Sequence, residues 1–578
     1  MNFNASLIST FLIVLFAGII PGASAKNTIK SSDANIIIGA SLFFDEIPAG
    51  HYLTDAETLK VPWLFNNTGL VMSTRSNYVI KINVPESGNW YLFARSQGAR
   101  NNTFRVAVND TVIDNDLGNG PLSFKKAGIF HLKKGSADIR LMRIEGAPVM
   151  DVLVLSKNPD FKEEDLLKRQ YNADVELLKE YKIPVASAVR FGDVTNDGKM
   201  DFMVVTHDYA THVYDHDGKE LWTYKVEPGG EKDEAPGLIW DIDRDGWQDV
   251  IHWQLIDGKE WLVIANGLTG EIKKKTEWPG TKALPHAFNN YRISIAKFNA
   301  GYPDNILVFT DIGGLISIAA YDKELKQLWI HNETKKKDHL GHYVYPKDID
   351  KDGIEEIVAG SMLLNSKGIE VWNRFKTFYD NHDHVDAYSF ADINKDGNID
   401  LLAAHSEVGV MAIEAKSGKM IWQNMAEHTQ RIESGNFLKG VVAPQIAVTA
   451  RTYGNRAAGE PYLWGQVQWF DSKGKLISKW PGNPITGNPA FVKGNWKGNG
   501  KEELFWSKFR MNENGKGEQY FGETVYHMFN FMGYQSEEVI TLQNGLLKIY
   551  GYKYADRKKT AKPNLNYLRE VVVNHTYY

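Results

Sequence analysis

From about residue 32 to residue 155 the chain alternates apolar and polar positions in short runs. Tyr78–Val84, Trp90–Arg95, Phe104–Asn109, Ala137–Ile144 and Val149–Leu155 are separated by Gly, Asn and Pro. A period of two puts every second side chain on one face of a strand, so 32–156 is expected to be a β-sandwich of jelly-roll type. Residues 157–173 are dense in charge, as in Lys162-Glu163-Glu164-Asp165, and are expected to join two domains as a short helix or linker. From 174 to 578 the pattern repeats. An acidic, Gly-containing turn leads into an apolar run: Asp193–Asp201 before Phe202-Met203-Val204-Val205, Asp241–Asp249 before Val250-Ile251, Asp348–Glu356 before Ile357-Val358, and Asp392–Asp400 before Leu401-Leu402. Degenerate copies begin near Lys297, Asn436 and Asn495, giving seven copies spaced 44 to 59 residues apart.

Between the copies a second turn recurs with an aromatic after it: Asp217-Gly218 before Trp222, Lys367-Gly368 before Trp372, Ser417-Gly418 before Trp422. A repeat of this length, with several short strands in each unit, is the signature of a β-propeller. The fold class is therefore all-β, an N-terminal sandwich followed by a seven- or eight-bladed propeller. Val539–Leu542 and Leu546–Tyr550 are candidates to pair with Leu177–Ile183 and close the ring.

The repeated turns bring in chemistry. D-x-D-x-D-G-x-x-D/E sets side-chain oxygens at alternate positions of a tight loop, which is the oxygen-only donor set that calcium favours. Candidate ligands are Asp193, Asp197 and Asp201; Asp241, Asp243, Asp245 and Asp249; Asp348, Asp350, Asp352 and Glu356; and Asp392, Asn394, Asp396 and Asp400. The complete sets at Asp241 and Asp348 are the best calcium candidates. In the Asn495 copy, Lys497 holds a ligand position and argues against metal. Recurrence at every unit points to a structural role for these acids rather than a catalytic one.

Leu7–Ile20 is an apolar run followed by Ala23-Ser24-Ala25, the pattern of a cleaved export signal over 1–25, although no Lys or Arg precedes it. No later segment is apolar enough to span a bilayer, so a secreted or periplasmic protein is expected. The absence of cysteine excludes disulfides and thiolate chemistry. A net charge of −5 gives no reason to expect nucleic acid as partner. The 16 Trp and 26 Tyr suit both short strands and stacking on sugar rings.

Two histidine segments stand before consecutive acidic loops: His339-Leu340-Gly341-His342 and Asn381-His382-Asp383-His384-Val385-Asp386-Ala387. Equivalent positions in neighbouring blades share one face, so His342 and His384 are expected in one channel. Arg451, Arg456 and Lys439 are cationic candidates nearby. Here the chain resembles the secreted bacterial rhamnogalacturonan lyases with an eight-bladed propeller. In that family a histidine lies six residues before a D-x-D-G-D-G-x-x-E loop, and a G-S strand follows. His342 stands six residues before Asp348, and Gly360-Ser361 follows. The family's H-G-D-A segment matches His384-Val385-Asp386-Ala387, its G-V…A-x-T-G-x-x-x-W matches Gly409-Val410 to Trp422, and its second histidine is replaced by Ser389. The sandwich resembles, in pattern, carbohydrate-binding modules joined to glycan-degrading enzymes.

The resemblance implies β-elimination on a polysaccharide of rhamnose and uronic acid. It places His342 and His384 in the site, one as base or metal ligand, with Asp386 orienting His384 and Arg451 neutralising the uronate carboxylate. Competing expectations are a propeller rhamnosidase on rhamnose–glucuronate linkages, a quinoprotein dehydrogenase, and a non-catalytic, calcium-dependent glycan-binding propeller.

Overall fold

The computed structural model describes residues 35–574 except 41, 44–51, 55, 57–58, 66–67, 73–76, 168–173, 227–235, 281–291, 313–314, 333–340, 375–383, 407, 426–427, 453–462, 481–489 and 559–564. The expected export signal, 1–25, lies outside the described residues. Among the described residues no helix is long and apolar enough to cross a membrane.

The chain is all-β. Its N-terminal part is two antiparallel sheets. One runs in the order Tyr52–Thr54, Gly69–Val71, Val149–Ser156, Gly88–Gly98, Gly120–Leu132, with Asn35–Gly39 also paired to Val149–Ser156. The other runs Asn77–Val84, Gly135–Glu145, Thr103–Val108, Thr111–Val112. The inward members of each alternation, among them Trp90, Leu92, Ile139 and Leu141, meet in the core. The charged stretch after it includes the short helix Glu164–Leu167. Phe161 and Leu166 are buried on the outer face of the first sheet with Phe65, Phe93, Val152 and Val154. Arg95 fixes that approach: its guanidinium bonds buried Asp151 at 2.7 Å and Glu163 at 2.5 Å, and lies 3.6 Å from the Trp63 ring centre. Burial pushes the Asp151 carboxyl up to about 6, against the pull of Arg95.

The rest is eight four-stranded antiparallel sheets. Their first strands are Ala186–Gly192, Gly237–Trp240, Arg292–Ala296, Val344–Lys347, Val385–Ala391, His428–Gly435, Phe491–Gly494 and Val525–Phe529. Seven sheets are simple meanders. The eighth is shared between the two ends of the body: Val175–Lys182 pairs with Leu546–Tyr552, which pairs with Glu538–Gln543. Neighbouring first strands pack together in sequence. Tyr345 and Tyr388 join the fourth and fifth at 5.0 Å between ring centres, and Phe191 and Phe529 join the first and eighth at 5.1 Å, so the order of contacts is cyclic. Second strands such as Asp201–Thr206 and Asp400–His405 are buried throughout, which is why they read as unbroken apolar runs.

The recurring turn and aromatic stitch one sheet to the next. Indole N–H groups of Trp222, Trp329, Trp372 and Trp422 donate to carbonyls of Gly267, Ser366, Ala415 and Ser472 in the following sheet, at 2.8 to 3.0 Å. The indole lies flat on a turn glycine. At Gly418 (φ +69°) a Cβ would come within 2.5 Å of Trp372, so the contact needs both the positive φ and the missing side chain. Tyr181 of the eighth sheet does the same for the first: its ring covers Gly218 and its hydroxyl donates to the His216 carbonyl at 2.7 Å.

Two further features set the frame of the site. The sandwich core is continuous with the cores of the sixth and seventh sheets through Phe437, Trp469, Trp480 and Trp506. At the other end Leu568–Val573, a single wide helical turn, lies against the first strands of sheets one to three. Arg569, 1% exposed, pairs with Glu355, 2% exposed, through bonds of 3.0 and 2.5 Å. Asn574 completes the edge of Ile295, accepting from its N–H at 2.9 Å and donating to its carbonyl at 2.8 Å.

Candidate functional site

The acidic loops are shaped by their own side chains. The first Asp of each accepts backbone N–H bonds from the turn glycine: Asp193 from Gly198, Asp241 from Gly246, Asp348 from Gly353, Asp392 from Gly397, at 2.9 to 3.2 Å. The ninth-position acid turns back to the strand end: Asp249 accepts from Ile242, Glu356 from Ile349 and Asp400 from Ile393. Asp201 accepts from Thr195 in the same way. An eighth copy, absent from the sequence reading, runs from Asn530 to Glu538. Phe531 and Met532 donate to Glu538 at 2.9 and 3.0 Å.

The four complete-looking loops differ in what balances their charge. In the Asp241 loop the Lys273 ammonium sits 2.6 Å from Asp243, 2.8 Å from Asp245 and 3.0 Å from Asp249. That ammonium stands among carboxylates whose oxygens, on Asp241, Asp243 and Asp249, lie within 4.8 Å of one another, close enough to hold a metal ion. Burial pushes Asp249 up to about 6, and Lys273 opposes it. In the Asp193 loop the His216 ring lies 3.4 Å from Asp197 and 3.5 Å from Asp201. In the Asn495 copy Lys497 pairs with Glu503 at 3.2 Å, in keeping with its place at a ligand position. In the Asp348 loop the Lys416 ammonium stands 3.6 Å from Asp350. Oxygens of Asp348, Asp350 and Glu356 lie within 4.8 Å of one another, and the buried Asp348 Oδ1 accepts no hydrogen bond. Asp352 lies outside that trio, its Oδ1 accepting from Ile354 N–H, and its charge adds to those raising Glu356. In the Asp392 loop, Asn394 and Asp396 bond each other at 3.0 Å.

The histidines converge. Gly341 (φ +68°) passes so close to Val385 of the next sheet that a Cβ would meet its carbonyl at 2.4 Å, and this brings His342 over the start of the fifth first strand. The His342 and His384 rings are edge-to-face, 4.8 Å between centres. Their Nε2 atoms stand 3.5 and 3.6 Å from the same Oδ1 of Asp386, whose side chain is fully buried. Ser406, itself buried, lies 3.3 Å from His384 Nδ1 and fixes that ring from behind. Burial holds His342 below its usual range, favouring the neutral imidazole, although Asp386 opposes this. Asp386 is pushed up by burial, but the two imidazoles outweigh that and hold it ionised. His342, His384 and the ionised Asp386 carboxylate, with donor atoms within 4.8 Å of one another, form a cation-holding set. It differs from the oxygen-only loops, since imidazole suits transition metals better than calcium.

Around this trio, first-strand residues three and five positions ahead of each loop line the space between strands. Tyr345, Ser389, Arg431 and Glu433 border a cavity of about 210 Å³, and Lys493 pairs with Glu433 at 2.9 Å. Arg190, Arg292, Ser294 and Tyr343 border a second. Ser389, standing where the resemblance has a histidine, lies 2.7 Å from Ser434. Arg451 occupies the second strand of the sixth sheet, opposite His428, and its side chain lies outside the described residues, as do His339, His382 and Arg456. Arg292 and Arg431 were missed by sequence reasoning. Each precedes a degenerate loop by five residues, and the shared offset was the available signal.

No family model and no curated protein matches this sequence. Solved structures match its fold. The rhamnogalacturonan lyase YesW is 16% identical, with 85% of this chain and 94% of that one covered and a TM-score of 0.52. The exotype rhamnogalacturonan lyase YesX is 17% identical, with coverage of 84% and 90% and a TM-score of 0.51. The Bacillus licheniformis rhamnogalacturonan lyase PL11 is 15% identical, with coverage of 83% and 93% and a TM-score of 0.50. At these identities the chain shares an all-β fold with these enzymes.

Proposed function

We propose that the chain is an exported polysaccharide lyase that cleaves a rhamnose- and uronate-containing polymer by β-elimination. In this reading the eight sheets are the blades of a propeller, with a carbohydrate-binding-type sandwich ahead of it. The cyclic order of first-strand contacts supports the propeller. The observation that carries the activity is the convergence of His342, His384 and Asp386 at one end of two adjacent first strands.

In β-elimination a base removes the proton α to the uronate carboxylate. The electron pair forms a carbon–carbon double bond, and the bond to the 4-linked oxygen breaks. Negative charge builds on the carboxylate, and fixed positive charge lowers the barrier most when it is already in place. A divalent ion held by His342, His384 and Asp386 would supply such charge. Asp386 supplies the buried negative charge that makes the set favourable for a cation. Ser406 and Gly341 hold the two rings in register, limiting reorganisation. The Asp348 loop is the leading calcium position, as a brace for its sheet.

The test is the ultraviolet absorbance of unsaturated product from rhamnogalacturonan and related uronate polymers. His384→Ala and Asp386→Asn are each expected to lower its rate by at least about 100-fold, with unfolding curves close to wild type. A wild-type protein that forms no unsaturated product from any of these polymers, or a fully active Asp386→Asn variant, overturns the proposal.

A further inference from the structure

Ser389 stands three residues past Asp386 on the strand Val385–Ala391, so about 10 Å along it at about 3.4 Å per residue. It occupies the position at which the resembled family has a histidine. Its hydroxyl is turned back onto the sixth sheet, 2.7 Å from Ser434 Oγ and donating to Glu433 Oε1 at 3.1 Å. A short side chain held aside leaves room beside it. That room is the cavity of about 210 Å³, bordered here by Lys347, Ser389, Phe390, Glu433, Phe491 and, from the C-terminal turn, Glu570. An imidazole at 389 would project into this space.

The volume sets the size of an occupant. It is many times the roughly 10–15 Å³ that one water needs, and below the roughly 300–1,000 Å³ of pockets for drug-sized molecules. One six-membered ring matches it. The walls set the chemistry. Both signs of charge line the cavity, Lys347 and Arg431 with Glu433 and Glu570, so an ion of either sign would face two like charges. A neutral molecule with adjacent hydroxyls meets no such conflict, since each hydroxyl both donates and accepts. Donors and acceptors have capacity beyond their present bonds. The Lys347 ammonium, with three N–H groups, meets Glu570 at 2.7 Å. Glu433 receives Ser389, the Ser434 N–H and Lys493 all on Oε1, which leaves Oε2 as an acceptor. Lys493, outside the lining, is engaged by Glu433 and the Ser434 carbonyl. Phe390 and Phe491 add flat apolar faces for the C–H side of a ring.

We propose that the cavity beside Ser389 is a binding site for one neutral sugar ring, opened by serine at this position. It deepens the lyase reading and rests on it for a sugar being the ligand, but it concerns binding and is tested without cleavage. The C-terminal turn thereby forms part of a ligand site, through Glu570 and Asn574.

The experiment is a ligand-observed NMR titration of the full chain with methyl rhamnoside, a neutral one-ring glycoside, and with methyl galacturonoside, a charged one. Wild type is expected to bind the neutral glycoside more tightly. Ser389→His should fill the cavity and weaken that binding roughly tenfold or more. Ser389→Ala keeps the space and should stay within about twofold of wild type. Urea unfolding reports whether each variant is folded. Should Ser389→His not fold, Lys347→Met decides: it removes a charged donor from the wall and should also weaken binding about tenfold. The inference is overturned if wild type binds neither glycoside or binds the charged one as tightly. It is equally overturned if Ser389→Ala loses as much as Ser389→His, or if folded Ser389→His or Lys347→Met stays within about twofold of wild type. A sugar seated on the sandwich instead would leave all three variants at wild-type affinity. Absence of unsaturated product from wild type counts against the lyase reading alone and leaves this comparison intact.

Discussion

Removing Arg569 tests how the C-terminal turn is held. Its side chain and that of Glu355 are 2% and 3% exposed, so neither charge reaches water. Arg569 gives Glu355 two bonds and the Ile295 carbonyl a third at 3.2 Å, and Glu355 also accepts from Lys297 N–H at 2.8 Å. Arg569→Ala leaves the carboxylate with one backbone donor. Breaking a buried pair from one side costs about 3–5 kcal/mol. The double variant Arg569→Met with Glu355→Gln removes both charges and should regain about half of that or more, because the cost lies in the orphaned carboxylate. Urea unfolding followed by tryptophan fluorescence measures each midpoint and slope. The pH dependence follows from the Glu355 carboxyl. Burial raises it above its unfolded value and Arg569 counteracts this. A raised acid stabilises the fold fully below the unfolded value and loses that contribution as pH rises through the folded one. Without Arg569 the folded value climbs further. The deficit of Arg569→Ala should therefore grow with rising pH and shrink in acid. A deficit below about 1 kcal/mol at neutral pH, or a double variant as unstable as the single, refutes the argument.

Two other outcomes follow from the loops. Burial pushes Glu538 up to about 7 from 4.5, against bonds from Met532 and Phe531. Wild-type stability should then fall by about 3 kcal/mol as pH rises across that interval, and Glu538→Gln should flatten the profile; parallel profiles would contradict it. Calcium should raise the melting temperature through the Asp348 loop, by an amount equivalent to about 2.7 kcal/mol at a hundred times its dissociation constant. Asp350→Ala should abolish most of that response and Asp243→Ala little, since Lys273 already neutralises the Asp241 loop; the reverse pattern would sink this assignment.

The four acidic loops were legible because their bonds are local, joining residues two to seven apart, whereas His342 and Asp386, 44 residues apart, were linked only by their equivalent places ahead of consecutive loops. The Asn530–Glu538 copy was not, because only its first and ninth positions keep their side-chain type. Lys273 comes from the fourth strand of its sheet, 24 residues after Asp249, so no motif reports that it fills the loop. Tyr181 performs the tryptophan's task with a different ring, and an indole pattern passes over it. Arg292 acquires its place only when two sheets meet edge to edge. The charged segment after the sandwich reads as solvated because Glu163, Glu164 and Asp165 dominate it, while Phe161 and Leu166 decide where it goes.

The eighth sheet takes its outermost strand from residues 175–182 and its other three from residues 525–552. During synthesis, the early strand waits for its partner until some 364 residues more have emerged. Until then Val175–Lys182 has no strand of its own sheet to pair with, and the partial body exposes an adhesive β edge. A break in the chain between these ends, as in a stalled or clipped product, would yield a species prone to self-association rather than a smaller working protein. Rejoining the ends at that sheet and opening the chain at another loop offers a way to shorten the wait without touching the site.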